Sequence, residues 1–503
     1  MTETPSNNTM LRRPVIGATL DDVGIRISNQ YLEELREEED DRSRDGFLSG
    51  CYGGLAYRLT ANFYKTHITY EDILWCTEVK AEAAATECEI SYVIRGKTAE
   101  LKKITVRISD FKGGNMAECI LSRAYRDSIV SPRVLILINP HSGQGKALKI
   151  YESSILPILK AAHARVTYLE TKYSKHGIEI GRDLDEDSYD IIACCSGDGT
   201  PHEVMNGFFQ KGDQGEGAFD KIAITQLPCG SGNALSLSTF GTTDSSLATL
   251  LMLKAKRTKL DLMAVTQGTG NNEETKLSFL SQCYGMIADS DIGTEHLRWL
   301  GPLRFELGVV QRVLTRASYP CELYVNYVID AKEDIKKHVN NYVEGTAEGP
   351  KPCLIKNYKP KLPSLDDSPP SNWIKVSDKI VSKLSQIYVG KMPYVLIDTQ
   401  FFPAALPNDG LMDMILTDTN MPIIQTASIL LSIDKGSHVE DPKVHHSKIS
   451  GYRLVPKLNK GTHYISVDGE SFAFAPLQVE VLPGVLTSLL PNGRYVDTSF
   501  TVK

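Results

Sequence analysis

Val134-Leu135-Ile136-Leu137-Ile138, followed by Asn139-Pro140-His141-Ser142-Gly143-Gln144-Gly145-Lys146, is the stretch that decides the fold of this chain. Five consecutive apolar residues read as a strand buried on both faces, as in a parallel sheet. The residues after it read as a turn, in which Gly143 and Gly145 let the backbone approach a ligand closely. Apolar periodicity from Ala147 to Leu159 then predicts a helix. Strand, glycine turn and helix start together aim unpaired N–H groups and a positive dipole end at one place, which makes an anion site. The glycine spacing and the missing Lys-Ser/Thr ending exclude a Walker A loop. Alone, the stretch fits an ordinary strand-to-helix connection equally well; two further glycine turns decide the matter.

Tyr189–Cys195 is a second apolar run, followed by Ser196-Gly197-Asp198-Gly199-Thr200 and a helix predicted over Pro201–Gln210. Glycines on both sides of Asp198 leave its carboxylate exposed at the strand's C-terminal end, where open α/β sheets bind ligands. The alternative is an Asp capping the next helix. A third run, Ile222–Leu227, ends in Pro228-Cys229-Gly230-Ser231-Gly232-Asn233, and Arg165–Leu169 with a helix from about Lys175 fills the gap. Strands alternating with helices are the signature of a doubly wound sheet, here with three glycine turns opening on one edge.

The 503 residues are enough for two or three domains. Fifty-five basic against 62 acidic side chains, a formal charge of −7, argue against a dedicated nucleic-acid binder. Ten cysteines without a C-x-x-C pair read as reduced core thiols, which suits a cytoplasmic chain. The start, MTETPSNNTMLRRP, shows no apolar leader, and no run of eighteen apolar residues occurs, so any membrane contact is expected to be peripheral.

Residues 1–45, polar and ending in a dense charge run, read as a disordered tail. Over 46–130 short β segments and a helix at Ala117–Arg126 are similar to a pleckstrin-homology-like extension, a likeness that also leans on Trp75; an irregular β extension is the alternative. Residues 131–260 form the α/β domain. From 261 to 495 the pattern turns to antiparallel-looking runs: Asp261–Val265, Leu277–Gly285, Cys321–Val328, Gln386–Val389, Tyr394–Ile397, Met412–Leu416, Tyr464–Val467 and Gln478–Leu482. Helices are predicted over Glu295–Arg316 and Pro422–Lys435, and a Pro/Ser-rich flexible insertion over 331–382.

NPHSGQGKA, SGDGTPHEVMNG and LPCGSGNAL, in this order, with CYGMIADSDIGTEHLRWLGPLRFELG and VDGE further on, resemble the conserved blocks of the diacylglycerol-kinase catalytic fold, most closely those of the sphingosine (sphingoid long-chain base) kinases. The likeness runs from about Pro132 to Pro491, the insertion apart. It implies a doubly wound α/β nucleotide-binding domain followed by a mainly antiparallel β lipid-binding domain. The activity it implies is ATP-dependent phosphorylation of the primary hydroxyl of sphingosine, dihydrosphingosine or phytosphingosine.

In that likeness Asp198 takes the hydroxyl proton, with a metal-linked role as the competing view. Asn139, Ser142, Gly143, Gln144, Gly145, Thr171, Ser196, Gly197, Gly199, Gly230, Ser231, Gly232 and Asn233 surround the ATP. Arg298 and Arg304 reach its phosphates, and Asp468, Gly469 and Glu470 return to the same side. Asp291, the second acid of Ala288-Asp289-Ser290-Asp291, holds the sphingoid ammonium, which diacylglycerol lacks. Mg²⁺ is implied by the need to neutralise phosphate charge, its ligands unassigned. Because the substrate lives in bilayers, the chain is expected to visit membrane surfaces; a solvated face is the plainer reading of Arg312 and Arg316. The chain departs from the family at Thr200-Pro201, where two large apolar residues are common, and at His141 and Gln144, where a positive charge often stands. A diacylglycerol or ceramide kinase therefore stays open, as does a silent lipid-binding scaffold, which the intact Asp198 and glycine turns oppose.

Overall fold

A computed structural model describes residues 15–27, 67–82, 85–109, 111, 114–230, 232–294, 303–346, 349–356, 358–458 and 461–501. The chain divides into two compact units, 1–131 with 154–164, and 132–153 with 165–503.

In the first unit, β1 (Val15–Leu20), β2 (Gly24–Ile27), β3 (His67–Thr69), β4 (Ile73–Glu82), β5 (Ala85–Arg95) and β6 (Ala99–Ser109) form one sheet in the order β3-β2-β1-β6-β5-β4. Alternate residues such as Ile104, Val106 and Ile108 point into a core shared with Tyr92 and with Ile120 and Tyr125 of helix α1 (Met116–Tyr125). Asn115 caps that helix, its Oδ1 accepting from Glu118 N at 2.9 Å. The disordered-tail expectation is corrected at 15–27: Ile16, Ala18, Ile25 and Ile27 are buried in the sheet. The rest of 1–45 lies outside the described residues. Trp75 stacks on His163 with ring centroids 4.1 Å apart.

The second unit begins with four parallel strands, β7 (Arg133–Ile138), β8 (Arg165–Glu170), β9 (Ile191–Ser196) and β10 (Ala223–Pro228), in the order β10-β9-β7-β8. Val134–Ile138 and all of β9 and β10 are buried, as the apolar run of β7 requires, and the burial extends to the polar Ser196, Thr225 and Gln226. Helices α4 (His176–Asp183) and α5 (Gly199–Phe209) pack closely because a Cβ at Gly207 would stand 2.3 Å from the Ile178 carbonyl. Helices α2 (Ala147–Ile150), α3 (Leu156–Ala161), α6 (Glu216–Lys221), α7 (Ala234–Phe240) and α8 (Ser245–Lys254) complete the alternation, α3 belonging to the first unit.

The remaining strands make one sheet of eleven: β11 (Lys256–Gln267), β12 (Glu274–Ser278), β13 (Ser281–Gly285), β14 (Cys321–Ile329), β15 (Ile374–Lys375), β16 (Leu384–Gly390), β17 (Met412–Asp418), β18 (His445–Pro456), β19 (Ile465–Val467), β20 (Glu470–Phe472) and β21 (Leu477–Leu490). Every pairing in it is antiparallel. Helices α9 (Met286–Asp291), α10 (Leu303–Leu314), α11 (Lys332–Val343), α12 (Asp378–Val381) and α13 (Ile423–Leu431) accompany it.

Several expectations change here. The boundary at 260/261 falls inside β11, and Leu277–Gly285 is two strands. Tyr394–Ile397 forms only a single bridge, Leu396 to Thr399. The helix expected over Glu295–Arg316 is seen as α10, residues 295–302 lying outside the described ones. The insertion, expected to be a flexible loop, contains α11, whose Ile335 and Val339 are fully buried.

Strand β18 was not foreseen, because its polar residues mask it. Lys448 Nζ donates to Ala404 O at 2.6 Å and pairs with Asp413 at 3.0 Å and Asp409 at 3.1 Å, while His446 Nε2 meets Asp413 at 2.7 Å. Lys391 Nζ lies 2.7 Å from each of Asp261, Asp409 and Leu411 O. These cations hold the carboxylates of Asp409 and Asp413 below the usual range against the opposing effect of burial.

Candidate active site

The chain leaves β7 for β8 on one side and returns to β9 on the other, so the switch point of the parallel sheet lies between β7 and β9. There Asn139 N donates to Cys195 O at 3.2 Å. Asn139 Oδ1 accepts from His141 N and its carbonyl from Ser142 N, both at 3.0 Å, which folds Ser142–Gly145 into a tight 3₁₀ turn. Gly145 has φ +78°, favouring glycine. At the end of β8, buried Thr171 donates its N–H to Ile138 O at 2.9 Å.

The second and third turns lie against each other. A Cβ on Gly230 would be 2.4 Å from Gly197 Cα, and one on Gly232 would be 2.6 Å from Asp198 Oδ2. Asn233 turns its amide back on Gly230, accepting from its N–H at 3.1 Å and donating to its carbonyl at 2.9 Å, and Ser196 Oγ donates to Gly197 O at 2.8 Å. These two side chains therefore shape the turns. Thus Asn139, Thr171, Ser196, Gly197 and Gly230 lie at the C-terminal edge of the parallel sheet.

Asp198 is a helix cap, but of a different helix from the one its turn precedes. Its Oδ2 accepts from Asn233 N at 3.0 Å and Ala234 N at 3.1 Å, and Oδ1 from Gln226 Nε2 at 3.2 Å and Leu235 N at 3.3 Å. The carboxylate thus caps α7, not its own helix. Burial raises its pKa to about 6, against the opposing pull of those donors.

Asp468, expected beside the nucleotide, has its carboxylate engaged by the protein. Its oxygens, buried, accept from Ser278 Oγ at 2.6 Å, from the N–H groups of Phe279, Leu280 and Ser281 at 3.0, 3.0 and 2.9 Å, and lie 2.8 Å from His202 Nδ1. It pins the corner between β12 and β13, which explains why that run is two strands. Its neighbours are differently placed: Gly469 has φ +84°, and Glu470 is exposed with Oε1 3.1 Å from where a Gly199 Cβ would sit.

His202, Asn206 and Gln226 are site residues that the sequence reading left without a role. Asn206 exchanges two 2.9 Å bonds with the backbone of Leu277, so α5 is locked to β12 on the face that also presents His202. Two polar residues four apart on an otherwise buried helix were the available signal. Glu203 accepts from Lys175 N at 2.8 Å and Gly177 N at 2.9 Å, holding the start of α4.

The two acids of α9 differ in burial. Asp289 is buried and accepts from Tyr319 Oη at 3.0 Å and Tyr464 N at 3.0 Å, with His463 Nδ1 at 2.9 Å. Arg312 donates to its carbonyl at 3.0 Å, which corrects the solvated-face reading of that arginine. Asp291 is half-buried at the helix end, and its charge, after burial, helps raise the Tyr388 phenol. Ser231 and Arg298 lie outside the described residues, as do the side chains of Arg304 and Gln144. Among the described residues no cluster of three or more His, Cys, Asp or Glu could hold a metal.

Comparison with known proteins agrees with this layout. Residues 133–265 match the diacylglycerol kinase catalytic domain, and residues 376–490 the YegS C-terminal NAD kinase beta sandwich-like domain. The chain is 42% identical over 437 residues to sphingoid long chain base kinase 5 of Saccharomyces cerevisiae, covering 77% of this chain and 63% of that protein. It is 31% identical to sphingoid long chain base kinase 4 of Schizosaccharomyces pombe over 84% of this chain and 88% of the relative. It is 29% identical to human sphingosine kinase 1 over 70% and 89%.

Proposed function

The chain belongs to the sphingoid long-chain base kinases, and from that premise we propose that it transfers the γ-phosphoryl group of ATP to the primary hydroxyl of a sphingoid base. The observation that carries the mechanism is the convergence of the glycine turns on Asp198, with Asp291 at the end of α9.

Asp198, ionised at neutral pH, accepts the hydroxyl proton while the oxygen bonds to the γ-phosphorus and the bond to the ADP oxygen breaks. Four donors already occupy its lone pairs, so it must release one; the longest, Leu235 N at 3.3 Å, is the weakest held. Asp291 supplies a carboxylate for the ammonium, which fixes the reacting end of the base. Mg²⁺ bound with the nucleotide would neutralise phosphate charge. Such a cation, carried mainly by phosphates, would need few protein ligands, and the exposed carboxylate of Glu470 beside Gly199 would be one.

The tail would enter a cavity bounded by Met286, Phe401, Ile415, Met421, Ile429 and Leu430. Among the described residues no helix is long and apolar enough to cross a membrane. Val310 and Leu314 of α10 and Ile424 and Leu431 of α13 are 53%, 63%, 85% and 81% exposed, which supports reversible membrane contact by a cytoplasmic protein.

Phosphate transfer from labelled ATP to a lipid panel tests the reading. Turnover of sphingoid bases, lost in Asp198→Asn, is expected; turnover of diacylglycerol with none of an amine-bearing base would overturn it.

A further inference from the structure

The tail cavity contains more polar chemistry than an alkyl chain can use. Six polar residues line it: Ser385, Gln386, Thr417, Asp418, Thr426 and His438. Four are satisfied by the protein. Ser385 and Thr417 share a hydroxyl bond of 2.7 Å, Asp418 accepts from Asn420 N at 2.8 Å, and Thr426 Oγ1 donates to Pro422 O at 3.3 Å. The other two are not. Gln386 Oε1 and His438 Nδ1 are buried acceptors without a hydrogen-bond partner, in residues only 4% and 2% exposed. A buried polar atom left unpaired costs stability, so two in one cavity require a cause.

The chemistry of His438 fixes what is missing. Its Nε2 lies 3.0 Å from Phe401 O, and a carbonyl only accepts, so Nε2 carries the proton. Burial lowers the pKa of the ring to about 4, so Nδ1 is bare at neutral pH. Both orphan atoms therefore ask for a donor, and neither a methylene chain nor a carbonyl supplies one.

Their position along the substrate follows from register. Gln386 pairs with Gly285, the residue before α9, and Met286, the first residue of the helix that ends at Asp291, lines the same cavity. A base anchored by its amine at Asp291 thus brings the first carbons beyond its head group toward the Gln386 end of the cavity.

We propose that Gln386 and His438 are specificity-determining residues that select sphingoid bases carrying an additional hydroxyl on the chain near the head group, the 4-hydroxy bases, over those with only methylenes there. The proposal rests on the kinase reading above and deepens it. A hydroxylated chain donates into the cavity, whereas a saturated chain leaves both acceptors dry, and sites built to bind a hydroxyl discriminate strongly against its absence.

The experiment compares kcat/KM for phytosphingosine and dihydrosphingosine in the full chain, the Gln386→Met and His438→Leu variants and the double variant. The parent is expected to prefer the 4-hydroxy base by about tenfold or more. The double variant is expected to lose that preference, chiefly through a higher KM for the hydroxylated base. Equal use of the two bases by the parent, or an unchanged ratio in the double variant, overturns the proposal. If the double variant does not fold, the parent ratio and Gln386→Met, which keeps side-chain length, decide it. Failure to phosphorylate either base overturns the kinase reading together with this one.

Discussion

The pKa of Asp198 makes a sharp kinetic prediction. At about 6, the carboxylate is roughly 90% ionised at pH 7 and roughly 10% at pH 5, so kcat/KM for a sphingoid base should fall about tenfold per unit below pH 6. Gln226→Met removes the 3.2 Å bond that stabilises the ionised form. A hydrogen bond to a charged group contributes about 1.5–3 kcal/mol, so the acid limb should move up by about one to two units. The assay is initial-rate phosphate transfer from pH 4.5 to 8 at constant ionic strength, with the base in neutral detergent micelles. A profile flat from pH 5 to 7.5, or a limb that Gln226→Met leaves in place, would refute Asp198 as the proton acceptor. The same shift has a cost in stability. A folded pKa above the unfolded one gives a contribution that is present below about pH 4 and lost as pH rises through 6, about 3 kcal/mol, so the site is least stable where it works.

Four other outcomes follow from the geometry. Asp291→Asn should lower kcat/KM for sphingoid bases by about ten- to a hundredfold, since the ammonium contact is on the order of 4 kcal/mol before desolvation is subtracted; an unchanged value would remove Asp291 from the head-group site. Gly230→Ala places a Cβ 2.4 Å from Gly197 Cα, so the KM for ATP should rise more than that for the lipid, measured by varying each in turn. Lys391→Met leaves Asp261 and Asp409 buried without their shared cation and should cost about 3–5 kcal/mol in denaturant unfolding. His438, with a folded pKa of about 4 against an ordinary 6.5, contributes stability that is present above pH 6.5 and lost as pH falls toward 4; His438→Leu should flatten that part of the pH–stability curve.

The sequence was most legible where one local cause fixes both structure and placement. Apolar runs such as Val134–Ile138 can only be buried on both faces, and Gly230 is needed because its backbone meets that of Gly197 and Gly232 because the Asp198 carboxylate lies against it, so three strands and their turns could be placed from residue type alone. Where partners are distant, the pattern misled. Strand β18 carries His446 and Lys448 into the core because Asp413, thirty-odd positions earlier, waits on the adjacent strand. Asp468 looked like a ligand in a glycine turn, yet its bonds go to residues 278–281 and to His202.

This contrast bears on how acids in such a site are assigned. Asp198, Asp289, Asp291 and Asp468 all lie in segments that motif spacing marks as functional, and spacing cannot rank them. Hydrogen-bond partners do separate Asp198 from Asp289 and Asp468. Asp468 and Asp289 are buried with both oxygens held by donors from other strands or loops, so removing a bond from either would dismantle a corner of the fold before it reached a substrate. Asp198 is equally saturated, but three of its four donors are backbone N–H groups of the next glycine turn and the helix start behind it, at 3.0 to 3.3 Å. Its bonds are thus tied to the phosphate-binding turn itself, and a nucleotide that reorders Gly230–Asn233 would alter the basicity of Asp198 at the same time. On that argument ATP should bind before the base is deprotonated, and the affinity for ATP should depend on the protonation of Asp198.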